Sequence, residues 1–334
     1  MQGIGLKVLF KTKGGHKEGM GDITSSLAIA EEFRSHGNGV IFIINSNKKV
    51  VDLVSQKGFE SNTAKSMAEL TNSLNGRQFD IVILNQMNTP EDEALLFKRH
   101  SKMLVTIEDT GSSTQYADLR FNILYPIDDS INDFKFIPLA SVFQDKHRIP
   151  KEIKEDVENI LVTQGGSDTY GFTPKIAKAL YNVPANISIN VVLGPNFSHD
   201  SELNDMMEES PRKLNLIREK NDLSDLMLET DLAISGGGNT LFELACLGVP
   251  TIVVCGETFE VITANRLQKE GFCINLGFGK NVDEREIYNT VNRLFCDANL
   301  RINMSTKGKK LIDGSGIKRM VEAITKFFCS KFYD

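Results

Sequence analysis

The chain has 334 residues, more than one average domain needs and enough for two. With 41% hydrophobic and 25% charged residues it has the balance of an ordinary globular protein. A formal net charge of −6 and the lack of a basic stripe argue against nucleic acid as a partner, whereas a small anionic ligand can still be held by local backbone dipoles.

The first β-rich run is LKVLF at 6–10, and the N-terminus shows no apolar core of the kind that marks a signal peptide. GMGDITSSLAIAEEF follows at 19–33, where Ile23, Leu27 and Ala30 recur at helical spacing. Asp22 stands directly before that periodicity. It reads either as a helix N-cap or as a carboxylate placed for chemistry at a strand end. His16, in the same glycine loop, is a rival base because an ordinary imidazole titrates at about 6.5.

The runs VIFII (40–44), DIVIL (80–84) and MLVTI (103–107) continue the strand series. After the last of these come Glu108 and Asp109, which either line a ligand site or form the turn at Asp109-Thr-Gly111. From about 126 to 157 the pattern lapses, with Pro126, Pro138, Pro150 and a charged run, and the domain boundary is expected there.

The alternation restarts with NILVT (159–163), INVVL (189–193), LNLI (214–217), DLAIS (231–235) and TIVVC (251–255). Thr173-Pro174 marks a helix start, and about 316–330 reads as a closing helix. The expected fold is α/β, with two Rossmann-like domains whose parallel sheets face a central cleft. The first spans 1–155 and the second 156–334, with the terminal helix free to pack back on the first. Five cysteines lacking any CxxC pair read as reduced core thiols of a cytoplasmic protein. Scattered histidines offer no metal-ligand spacing, and no apolar run reaches the roughly 18 residues of a membrane span.

Three glycine clusters each follow a strand: GGHKEGMG (14–21), GGSD (165–168) and SGGGNT (235–240). Each is either a tight turn or a cradle whose amides approach an anion ahead of a helix dipole, with a diphosphate as the natural guest. None matches a named phosphate loop. In the third, Leu241, Leu244 and Ala245 form the buried helix face and Gly248 with Pro250 ends the helix. Glu243 lies off that face. Thr240-Leu-Phe-Glu243 fits a capping box, while a carboxylate with two acceptor oxygens also suits a ribose diol.

The run SDLMLETDLAISGGGNTLFELACLGVPTIVV (224–254) resembles the nucleotide-binding half of GT-B-fold sugar-nucleotide enzymes. The resemblance is closest to the UDP-sugar hydrolases of pseudaminic acid biosynthesis, and more distant to the peptidoglycan enzymes that transfer N-acetylglucosamine from UDP. It extends through KVLFKTKGG…GMGDITSSLAIAEEF, TIEDTGSSTQYADL and LVTQGGSDTYGFTPKIAKAL. It implies a UDP-sugar substrate, UDP held mainly by the second domain, and no metal or other cofactor. Carried over, the backbone at Gly236, Gly237 and Gly238 lies near the diphosphate, with Asn239 beside it as a further candidate, Glu243 holds the ribose, Ser167 sits near the phosphates, and a residue in Leu223–Met227 meets the uracil edge. Gly19, Gly21, Glu108 and Asp109 would serve the sugar side.

The family loop pattern G-x-G-H-x-x-R reads here Gly19-Met20-Gly21-Asp22-Ile23-Thr24-Ser25, so Asp22 replaces the water-activating histidine and Ser25 the arginine. Glu260 stands where relatives carry Gln or Asn against the ligand. The resulting expectation is a hydrolase that releases UDP from C1 in surface-sugar synthesis. A glycosyltransferase with the same UDP site and a catalytically silent UDP-sugar-binding protein are the alternatives. A dinucleotide dehydrogenase is disfavoured, because no GxGxxG opens the first helix and Asn45-Ser46-Asn47 follows VIFII where an acid is expected.

Overall fold

The computed structural model describes residues 5–14, 20–45, 47–218, 220 and 222–333, so His16 and Gly19 lie outside the described residues. The chain divides into two compact units, one of residues 1–140 with 315–334 and the other of residues 141–314.

The first unit alternates β1 (Lys7–Thr12), α1 (Gly21–Ser35), β2 (Gly39–Ile44), α2 (Lys48–Gln56), β3 (Glu60–Thr63), α3 (Met67–Leu74), β4 (Phe79–Asn85), α4 (Glu91–Arg99), β5 (Ser101–Ile107) and β6 (Leu119–Phe121). The second contains α5 (Ser141–His147), β7 (Asn159–Thr163), α6 (Phe172–Ala179), β8 (Ser188–Val192), α7 (Asp200–Glu209), β9 (Asn215–Ile217), α8 (Ser224–Glu229), β10 (Leu232–Ser235) and α9 (Asn239–Leu247). It continues with β11 (Thr251–Cys255), α10 (Glu260–Lys269), β12 (Cys273–Phe278), α11 (Glu284–Cys296) and α12 (Ala298–Leu311). The last helix, α13 (Gly316–Phe332), returns to the first unit and packs on α1.

Each unit carries a six-stranded parallel sheet, ordered β3-β2-β1-β4-β5-β6 in the first and β12-β11-β10-β7-β8-β9 in the second. Renumbered within its own unit, the second order is the same as the first. Helices on both faces explain why β10 and β11 are buried at every position and need no polar alternation. Around the second sheet the core includes Ile160, Val162, Ile234, Ile252 and Val254. In both sheets the strand order reverses beside the first strand, between β1 and β4 and between β7 and β10. Ligands of open α/β sheets bind outside the carboxyl ends of strands at such a reversal.

The boundary falls at 140/141, not near 155, because α5 packs on α8 and α9 of the second unit. The strands β3, β6 and β12 had no counterpart in the apolar pattern. All three are sheet edges, and β3 (ESNT) buries none of its residues. Of the five cysteines, all free, Cys246, Cys255 and Cys273 are buried as expected, but Cys296 is exposed. Among the described residues no helix is long and apolar enough to cross a membrane.

Candidate functional site

In the second unit, the segment from β10 into α9 lies at the sheet's reversal point. Ser235 ends the buried strand, and the Gly236 amide stays with the sheet by donating to Thr163 O at 3.1 Å. Gly238 then serves as the N-cap of α9 with no side chain capping the helix. Among the described residues the amides of Gly238, Asn239 and Thr240 donate to no partner, and these residues reach the surface. An uncapped helix start of this kind is a ready anion site. At the other end of α9, Gly248 adopts φ 73°, the left-handed C-cap that the sequence called for.

The capping box at Thr240–Glu243 does not form. The helix starts two residues earlier than that motif requires, with Gly238 and not Thr240 as its N-cap, which moves Glu243 past the first turn. Its side chain is half-buried, and no hydrogen bond to its carboxylate is made among the described residues. Desolvation, reinforced by the charge of Asp222, pushes its pKa up to about 7. Asp222 itself is held below the usual carboxylate range by Ser224, whose backbone N and Oγ both donate to it. Leu223, half-buried, is the N-cap of α8 and follows Asp222 directly. The helix start of α8 and the carboxylate of Glu243 therefore share one electrostatic neighbourhood.

Glu260 occupies an unexpected position. Its Oε2 accepts from the amides of Gly237 at 3.0 Å, Gly256 at 2.8 Å and Glu257 at 3.3 Å. The side chain thus lies in the glycine loop itself. A β-carbon on Gly237 would come within 2.7 Å of the Glu260 β-carbon, so only glycine fits there.

In the loop between β7 and α6, Gly165 and Asp168 both have positive φ, 71° and 45°. The Asp168 carboxylate accepts from Phe172 N and Thr173 N, each at 2.8 Å. It therefore takes the first amides of α6, and a phosphate does not have them. Ser167 is half-buried, with its Oγ 3.5 Å from Thr169 Oγ1. The role of Asp168 was missed in the sequence because its carboxylate caps over a four-residue reach.

In the first unit, Met20 and not Asp22 is the N-cap of α1, and no side chain caps that helix. Gly21 is exposed and Asp22 is the second helical residue. A helix start favours a charged carboxylate, yet desolvation wins and raises the Asp22 pKa to about 6, with Lys13 opposing. Asp22 makes no carboxylate hydrogen bond among the described residues. The turn is held by Asn85, which ends β4 and is 1% exposed. Its Nδ2 faces Asp22 O at 3.0 Å, Ser25 Oγ at 2.9 Å and Ser26 Oγ at 2.8 Å. A polar residue closing the apolar run FDIVIL was the signal that could have revealed it.

Glu108 and Asp109 are committed to the backbone. Asp109 accepts from Thr89 N, Gly111 N and Ser113 Oγ, the turn-forming role. Glu108, at φ 53°, accepts from the amides of Ile123, Leu124 and Tyr125. Desolvation outweighs those donors and pushes its pKa up to about 7. Among the described residues no three His, Cys, Asp or Glu side chains cluster so as to hold a metal ion.

No family model matches the chain. It is 25% identical over 98% of its length to the uncharacterized protein MJ1062 of Methanocaldococcus jannaschii, covering 68% of that protein. It is 23% identical to the spore coat polysaccharide biosynthesis protein SpsG of Bacillus subtilis, covering 94% of this chain and 96% of that one. Among solved structures, MurG of Acinetobacter baumannii superposes with a TM-score of 0.69 at 14% identity, covering 96% of this chain and 99% of that chain. HepE of Anabaena, solved in complex with UDP-glucose, gives 0.63 at 14% identity over the same shares. The fold is GT-B-like: two six-stranded parallel sheets flanked by helices, as in those structures.

Proposed function

We propose that the chain is a nucleotide-sugar enzyme that releases UDP from C1 of an amino-deoxy sugar nucleotide in surface-polysaccharide synthesis. The observation that carries this reading is the pairing of an uncapped α9 N-terminus with the unbonded carboxylate of Glu243 at the reversal point of the second sheet. The amides of Gly238 and Asn239 would take the diphosphate, and Glu243 the two ribose hydroxyls. Leu223, ahead of α8, would meet the uracil, and Ser167 would stand near the phosphates. Likeness to SpsG and to a fold solved with UDP-glucose supports the substrate class.

Asp22 is assigned the base. Water attacks C1, the C1–O bond to the diphosphate breaks, UDP leaves with the electron pair, and Asp22 takes the proton of the attacking water. With a pKa near 6 it is a better base than an ordinary aspartate and is still ionised at neutral pH. UDP is a stable anion and needs no strong acid to leave. The oxygens of Glu108 and Asp109 are taken by backbone amides and the Ser113 hydroxyl, whereas the Asp22 carboxylate accepts no hydrogen bond among the described residues.

The test is to incubate the protein with UDP-sugars and follow free UDP and sugar. Release of UDP without an acceptor supports hydrolysis. Release only on addition of a sugar or lipid acceptor makes the chain a transferase. Stabilisation by UDP with no turnover under any condition leaves a binding protein.

A further inference from the structure

Glu260 is an anion already seated among backbone amides. Three N–H groups, from Gly237 after β10 and from Gly256 and Glu257 after β11, converge on its Oε2. Oxygens of a phosphate group are the usual guests of such a cluster. The second oxygen, Oε1, makes no hydrogen bond among the described residues and lies 3.4 Å from where a β-carbon on Gly238 would stand. One carboxylate therefore fills the inner part of the glycine loop and turns its remaining lone pairs toward the outer part, where the α9 amides are open.

We propose that Glu260 is a built-in competitor for the diphosphate site, so that ligand affinity is set by whether this side chain is charged and seated in the loop. The proposal rests on the UDP-sugar reading above and deepens it. In the seated, ionised state Glu260 denies the ligand the Gly237, Gly256 and Glu257 amides and repels phosphate at Gly238. Rotation out of the loop, or protonation, opens the inner subsite. The loop stays formed without ligand, because the same amides that would bind phosphate are satisfied by the chain itself.

Among the described residues the groups facing Glu260 are acidic or neutral. Glu257 lies in its own turn and Cys255 at the end of β11, and the loop after β10 offers only glycine amides. Desolvation is the largest influence and raises the carboxyl above the ordinary range; the three amides pull it back and Glu257 pushes it up. A raised acid is neutralised at a higher pH than usual, so the barrier to phosphate is fully present in alkaline solution and fades on acidification.

The experiment is calorimetric titration of UDP into the wild-type chain, Glu260→Gln and the control Glu257→Gln, at pH 5.5 and pH 8, with circular dichroism to show that each is folded. The expected result is that Glu260→Gln binds UDP about tenfold more tightly than wild type at pH 8, with a smaller advantage at pH 5.5. Titration of UDP itself is common to all three proteins and cancels in that comparison. Equal affinities of wild type and folded Glu260→Gln at both pH values overturn the proposal, as does weaker binding by that variant. If neither binds UDP, the UDP-sugar reading falls, and inorganic pyrophosphate decides the competitor role. Tighter pyrophosphate binding by Glu260→Gln upholds that role, and no difference from wild type overturns it.

Discussion

Asn85 Nδ2 lies 3.0 Å from the main-chain oxygen of Asp22 and also faces the hydroxyls of Ser25 and Ser26, so the end of β4 holds the first turn of α1. Two amide hydrogens serve three acceptors in a site where Asn85 is 1% exposed. The strand end is buried and no side chain caps the helix start, so these contacts from Asn85 set where the Asp22 backbone stands. It acts as a positioning residue.

Asn85→Leu is expected to remove all three contacts and leave the Ser26 hydroxyl buried without its donor. A loss of about 2–3 kcal/mol follows for a buried network of this kind, measurable by urea denaturation. If UDP-sugar turnover depends on Asp22, the same variant shifts the acidic limb of its pH profile. A merely structural role would lower the amount of folded enzyme and leave that limb in place.

Asp22→Asn separates chemistry from stability. Asp22 is not the N-cap of α1, so the substitution removes no cap. The Asp22 carboxyl titrates at about 6 in the fold, against about 4 in an unfolded chain. A raised acid stabilises the fold below its unfolded pKa, and that contribution is lost as the pH rises through about 6. The Asn variant should therefore melt no lower than wild type at pH 8. Its UDP release should fall at least a hundredfold while UDP binding is retained. In the wild type, turnover should rise with pH through about 6 and then level off. Full activity of Asp22→Asn would remove Asp22 from the mechanism and leave His16 as the next candidate.

The fold was legible because parallel strands covered on both faces are continuous apolar runs. DIVIL and TIVVC fall within β4 and β11 for that reason. Glu60–Thr63 was not legible, since an edge strand with no buried position carries no apolar signal. Gly248 announced its left-handed cap by type alone. The glycine loops were visible as loops, but what fills them was not. Whether the Gly237 amide meets a ligand or Glu260 depends on a contact across 23 positions of sequence. The same limit applies to Asp22, where sequence suggests an ordinary or lowered acid and only burial shows it raised.

Asp168 tests the loop between β7 and α6. Its carboxylate satisfies two helix amides from a residue at φ 45°, a conformation that costs an aspartate little and a β-branched residue more. Asp168→Ala should destabilise the chain by about 1–2 kcal/mol. Asp168→Asn keeps an acceptor and should recover part of the loss. Thermal denaturation of both, with and without UDP, checks this. Because these amides are already taken, UDP should stabilise the Ala variant as much as the wild type.

Glu243 opposes stability and binding in one side chain. Its carboxyl is pushed up to about 7 by desolvation and by Asp222, against about 4.3 unfolded. Ionised Glu243 therefore costs the fold stability above pH 7, and the cost vanishes as the pH falls below its unfolded value. Glu243→Gln keeps the shape and removes the charge, so at pH 8 the variant should be more stable, by up to about 2 kcal/mol. The same change leaves only one acceptor oxygen for a ribose diol. UDP should then bind at least tenfold more weakly, and 2′-deoxy-UDP should lose less than UDP does. A variant that melts higher yet no longer gains from UDP would tie the strained carboxylate to the ligand. One that melts higher and binds UDP unchanged would leave Glu243 an unpaired acid with no ligand to hold.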